Sequence, residues 1–119
     1  MELTRSEMEI MDVLWEEGEP LSRSDLLERS KDKSWKDSSI HILLNGMLQK
    51  DMIREAGFVK RGKTYGRTFV PTMTREEYFA ATTYSHKYKP QIVGLIAALL
   101  KQVEISPEEM DQIRALIEK

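Results

Sequence analysis

The 119-residue chain contains no cysteine. Disulfides, zinc–thiolate centres and thiol nucleophiles are therefore excluded, and a reducing cytoplasm suits the composition. Histidine is nearly absent too. His41 and His86 lie in different segments, and neither stands in a metal-ligand pattern. No phosphate-binding glycine loop and no nucleophile elbow occurs. The chain offers no acid–base, metal or nucleophilic constellation, so neither an enzyme nor a cofactor or metal site is expected. Long apolar runs are also missing. The longest, Ile92–Leu100, is nine residues, against the roughly 20 that a membrane helix needs. The opening "MELTRSEMEI" has no basic stretch followed by an apolar one, so no secretory signal is expected. A cytoplasmic protein without a membrane partner is the expectation.

What is present is charge of both signs, segregated along the chain. The formal net charge is −2, yet Met1–Glu28 holds nine acids against two bases, net −7. Arg29–Met73 holds ten bases against four acids, net +6, and Thr74–Lys119 is close to neutral. A basic block inside an acidic chain is the footprint of an anionic partner, or else a surface balancing its own acidic neighbour.

The helical signals are local and strong. Thr4 and Glu7 form a capping-box pair, flanked by Leu3 and Met8 at staple positions. Met8, Ile10, Met11, Leu14 and Trp15 follow at helical spacing, and Gly18 can end the helix. Glu7, Glu9 and Asp12 read as its solvated face, and Met8, Met11 and Met47 as packing residues, not copper ligands. A second helix starts at Ser22, with Asp25 at N3, and runs to about Ser30. A third spans about residues 37–50. Ile40, Leu43, Leu44, Met47 and Leu48 form its inward stripe. The other side carries Ser38, Ser39, Ile42, Asn45, Gly46 and Gln49, with His41 at the edge. Ile42 is a large apolar residue on the wrong side, and Gly46 costs about 1 kcal/mol against alanine. Two β-like runs follow, about Met52–Lys60 and Thr64–Val70, joined at "RGK" and closed by Pro71.

Three short helices and a hairpin predict a mainly α fold with a small β-hairpin. The N-terminal part, residues 1–73, reads as a winged helix-turn-helix domain, and residues 74–119 as a helical dimerisation segment. That second segment opens on a Thr74/Glu77 capping box before Tyr78 and Phe79. Pro90 interrupts this helix or begins another. Ile92, Val93, Leu95, Ile96, Leu99, Leu100 and Val103 then make a helix apolar over most of its circumference. Ser106, Pro107 and Glu109 cap a last helix striped by Met110, Ile113, Leu116 and Ile117. Forty-odd residues cannot build a core around such helices alone, so a second copy of the chain is the expected cover. The alternative cover is the chain's own N-terminal domain.

On the winged-helix reading, the outer side of the third helix enters a major groove, whose width matches one helix. Lys36 and the helix N-terminus favour phosphate. Ser38 and Ser39 can meet phosphates or bases, or simply cap the helix. His41, Asn45 and Gln49 can hydrogen-bond base edges, or lie on an ordinary solvated face. Ile42 can touch a thymine methyl or a protein surface, and Gly46 can let the helix sit deeper. The hairpin, about residues 52–71, is the wing. Its cations Lys60, Arg61, Lys63 and Arg67 can follow a phosphate backbone, or can protect a strand edge from pairing. A winged helix that docks on protein, an adapter without DNA binding, is the competing function.

The motif Leu3, Thr4, Glu7, Ile10, Met11, Leu14, Trp15 resembles the opening of the penicillinase-repressor family. The resemblance continues through Trp35, the third helix, Pro71, "TREEY" and "SPEEM". It implies a homodimeric transcriptional repressor on a palindromic double-stranded DNA operator. In the family, release follows cleavage of the dimerisation helix by an inducing protease, between an asparagine and an apolar aromatic, or a switch at C-terminal cysteines. Here Ala98-Leu99 stands at the cleavage position, and the cysteines are absent. Ile42 and Gly46 replace a threonine and a basic residue. Asp51 stands where a glycine usually makes the turn after the third helix.

Overall fold

The computed structural model describes residues 2–61, 64–83 and 91–119, with only the backbone of Arg61 and Thr64. Gly62, Lys63, His86 and Pro90, all drawn on above, lie outside the described residues. The elements run α1 (Arg5–Glu17), β1 (Leu21–Ser22), α2 (Arg23–Arg29), a 3-10 turn (Asp37–Ser39), α3 (Ile40–Gln49), β2 (Ile53–Arg61), β3 (Thr64–Pro71), α4 (Arg75–Thr83), α5 (Ile92–Gln102) and α6 (Pro107–Ile117). They form two compact units, Met1–Phe79 and Ala80–Lys119, divided inside α4.

The first unit is punctuated as its sequence dictates. The Thr4 hydroxyl accepts the Glu7 amide at 3.2 Å, and Glu7 takes the Thr4 amide at 2.9 Å. The same reciprocal pair joins Ser22 and Asp25, at 3.2 and 3.0 Å. Gly18 closes α1 in the left-handed region, φ 67°. Asp51 turns the chain out of α3 with φ 57°. Between the elements lies one core: Ile10, Met11 and Leu14 from α1, Leu26 from α2, Ile40, Leu44 and Met47 from α3, with Leu21, Trp35, Met52, Ile53 and Phe69.

The sheet has three strands, not the two of a simple hairpin, in the order β1-β3-β2, all antiparallel. Leu21 and Ser22 pair with Phe69 and Thr68, so the short segment after Pro20 is a sheet edge. Burial of Leu21 and Phe69 side by side holds it there. In β2 the register shifts between Glu55 and Gly57, where Gly57 has φ 134°, leaving Ala56 as a bulge residue.

Two expectations about α1 and α3 fail together. Glu7 is not on a solvated face; it is 4% exposed. Its carboxylate accepts from Lys50 Nζ at 2.5 Å as well as from Thr4. A Cβ on Gly46 would stand 2.9 Å from Glu7 Oε2. Gly46 thus faces α1, and its missing side chain makes room for the buried carboxylate, not for DNA. Glu9 is also engaged, accepting the Ser34 amide at 2.8 Å.

The start of α4 is tied to the first unit. Trp15 Nε1 donates to the Met73 carbonyl at 3.0 Å, and the Trp15 and Tyr78 rings lie 5.9 Å apart. The Thr74/Glu77 capping box forms, at 2.8 and 3.0 Å. In the second unit, Ser106 caps α6 through Glu109. No residue of α5 or α6 is buried. Leu95, Met110 and Ile113 are half-buried, while Ile92, Val93, Ile96, Leu99, Leu100, Val103, Leu116 and Ile117 are exposed. Among the described residues no helix is long and apolar enough to cross a membrane.

Candidate nucleic-acid interface

The buried stripe of α3 fixes which residues it turns outward. With Ile40, Leu44 and Met47 in the core, His41, Ile42, Asn45 and Gln49 are all exposed, Ile42 by 76%. Ser38, Ile42, Asn45 and Gln49 follow one another at steps of four, three and four. Helical geometry lines such positions up along one side. Ser39 stands at the N-cap without a side-chain cap bond, so capping does not account for it; the 3-10 turn through Asp37 opens the helix instead. Lys36, just before this turn, is exposed. Its loop is anchored by the Glu9–Ser34 bond and by Trp35 in the core. The Ser34 amide, with its side chain, holds the Glu9 carboxyl below the usual carboxylate range.

The wing faces this helix across a cleft whose wing-side wall is β3. Cross-strand partners share a side, so Lys60 opposite Tyr65 and Phe58 opposite Arg67 lie on the side of Phe69. Lys60 is exposed, and Phe58 and Tyr65 are exposed by 70% and 67%. Arg67 is less available than the sequence suggests. It pairs with Glu55 at 2.5 Å and lies over the Phe69 ring at 5.4 Å. Only the backbone of Arg61 is described, and Lys63 lies outside the description. A cleft of about 240 Å³ separates wing and helix, lined by Ser22, Arg23 and Ser24 at the start of α2, His41 and Leu44 of α3, and Tyr65 to Arg67 with Phe69. A larger open cleft of about 570 Å³ lies beside Trp15, Pro71 and Arg75, and none of the residues singled out for DNA lines it.

The basic block is partly spent on internal pairs. Arg29 is held by Glu17 and Glu19, Lys33 by Asp37, Lys50 by Glu7 and Arg67 by Glu55. Among the described residues, Lys36 and Lys60 carry no ion pair. The α3 edge also holds a cation that sequence reasoning missed. Arg23, the first residue of α2, donates through Nη1 to His41 Nε2. A lone arginine opening a short helix gives no pattern to read; only its contact with His41 in the folded chain reveals it.

Helices α2 and α3 with a β-hairpin wing, the outward strip of Ser38, Ile42, Asn45 and Gln49, and unpaired cations just before α3 and on the wing define a winged helix-turn-helix protein. The solved structure of Bacillus subtilis PadR in complex with operator DNA shares this fold, with a TM-score of 0.51 at 17% identity, over 89% of this chain and 63% of PadR. The model of the penicillinase repressor family matches residues 3–119, and the chain belongs to that family. It is 32% identical over 123 residues to an uncharacterized 16.5 kDa protein from the ptsI 3′ region of Latilactobacillus sakei, covering 98% of this chain and 78% of the relative. It is 19% identical over 121 residues to the penicillinase repressor of Bacillus licheniformis, covering 99% and 91%. The chain is accordingly a DNA-binding transcriptional repressor and not an enzyme.

Proposed function

We propose that two copies of the chain bind one pseudo-palindromic operator, each laying α3 in a major groove and its wing on the adjoining phosphates, and repress by occluding a promoter. The observation that carries this reading is the outward strip Ser38, Ile42, Asn45, Gln49. Asn45 and Gln49 suit base edges, and Ile42 suits a thymine methyl. Lys36 and Lys60 supply phosphate contacts, with Arg61 and Lys63 of the wing turn as further candidates. Arg67 joins them only by giving up Glu55.

A second copy is the proposed cover for the C-terminal helices. Val93 is 82% exposed, and Ile92, Leu99, Val103, Leu116 and Ile117 are each about half exposed or more. An apolar surface of that extent in water marks an interface. In α4 of the first unit Phe79 is also exposed, whereas Tyr78 lies against Trp15. Two-fold symmetry then sets the reading helices about 34 Å apart or a multiple of it. A protease acting at Ala98-Leu99 meets α-helical backbone within α5, which must unwind before it can be cut.

The test is selection of bound oligonucleotides followed by a salt titration. The expected result is an inverted-repeat site and an affinity that falls steeply as salt rises, through counterion release. Binding that ignores salt, or no binding to any duplex at low ionic strength, overturns the proposal. In the latter case the exposed Ile42 makes a protein-docking winged helix the better reading.

A further inference from the structure

The Arg23–His41 contact joins two elements of the interface, and its chemistry is directional. A guanidinium has five N–H donors, no acceptor, and stays protonated at any physiological pH. Its partner atom, His41 Nε2, must therefore be the acceptor. In a neutral imidazole one nitrogen accepts and the other carries the proton, so a neutral His41 in this contact would carry its proton on Nδ1. Both side chains are exposed, and both line the cleft between α2, α3 and the wing. No described residue hydrogen-bonds His41 Nδ1. Exposed histidine on its own has no such constraint.

We propose that Arg23 is a positioning residue for base reading: it holds His41 with Nδ1–H as its only free polar ring atom, so that His41 meets DNA as a hydrogen-bond donor. The inference rests on the proposed seating of α3 in the major groove. A donor there selects acceptor edges, the N7 and O6 of guanine above all, and rejects the amino group of cytosine. The guanidinium keeps further donors free for a neighbouring phosphate, so one side chain both orients the reader and adds to affinity. The charge at this position acts on every sequence, whereas the orientation of His41 acts only on the base pair it faces.

Three measurements on the full-length chain test this. The first is the 15N spectrum of the imidazole near neutral pH, assigned by loss of the signal in His41→Gln. It is expected to show the Nδ1–H tautomer in the wild type and to revert toward Nε2–H in Arg23→Ala. The second is selection of bound oligonucleotides. His41→Gln and Arg23→Ala should relax the same base-pair position, about tenfold in discrimination, while the other positions keep their preference. The third is rescue. Arg23→Lys, which retains a donor and the charge, should restore part of both the tautomer and the preference. A wild-type Nε2–H tautomer, or unchanged base preference in His41→Gln, overturns the inference even if the protein binds its operator normally. Failure of the wild type to bind any duplex instead defeats the proposed function, and leaves the tautomer result to be judged alone.

Discussion

Gly46→Ala is a substitution that helix propensity and tertiary packing predict in opposite directions. In an exposed helix interior, alanine is better than glycine by about 1 kcal/mol. Here the new Cβ would stand 2.9 Å from Glu7 Oε2. A free glutamate would swing aside at little cost. Glu7 is not free, because its other oxygen holds the Thr4 amide at 2.9 Å and Lys50 at 2.5 Å, inside a nearly closed site. Hydrogen bonds to a charged group are worth about 1.5–3 kcal/mol, and displacing the carboxylate weakens two of them. Subtracting the propensity gain leaves a net loss of about 1–2 kcal/mol. The assay is urea unfolding at one fixed protein concentration, since association itself adds stability. The decisive comparison is the same substitution in a Glu7→Ala background. With the carboxylate gone, Gly46→Ala should stabilise by about 1 kcal/mol, its intrinsic propensity gain. The two backgrounds should thus differ by about 2–3 kcal/mol, a coupling typical of residues in contact. A Gly46→Ala protein more stable than the wild type, with no dependence on residue 7, would refute the claim that the glycine exists to seat the glutamate.

The same carboxylate makes stability depend on pH. Burial acts to raise the Glu7 pKa, but the hydrogen bond and charge of Lys50 and the bonds to Thr4 outweigh it, leaving it lowered in the folded chain. Its contribution is therefore complete above the ordinary carboxylate pKa and is lost as pH falls through the lowered value. Glu7→Gln should flatten the acid limb of a stability–pH curve, and an unchanged limb would show that Glu7 does not titrate with folding. For the second unit, Leu99→Asp should shift the chain toward monomer in analytical ultracentrifugation and lower operator affinity by tenfold or more. A variant that stays dimeric would move the interface elsewhere.

Much of the fold is legible because its signals are local. The capping pairs at Thr4, Ser22, Thr74 and Ser106 each involve residues three apart, so the chain announces four helix starts without any tertiary knowledge. The α3 stripe is equally explicit, since alternative rotations would bury Asn45 or expose Met47. What stays hidden depends on contacts between distant residues. Strand β1 is two residues long and is defined by β3, almost fifty positions later. Glu7 looks like any surface glutamate until Lys50 and Gly46 are brought beside it. Arg67 counts as a free cation until the register of β2 and β3 sets Glu55 within reach. The outward identity of Ile42 and Asn45 follows from periodicity; the partner of His41 does not.

The bulge in β2 has a consequence for how this wing can change over time. Before it, Ile53 and Glu55 face Pro71 and Phe69; beyond it, Phe58 and Lys60 face Arg67 and Tyr65. The shift from odd to even positions comes entirely from Ala56. Loss of that single codon would restore plain alternation and still leave Phe58 opposite Arg67 and Lys60 opposite Tyr65. A deletion at residue 56 would therefore straighten the strand and remove the local kink of the bulge without exchanging the two surfaces of the arm.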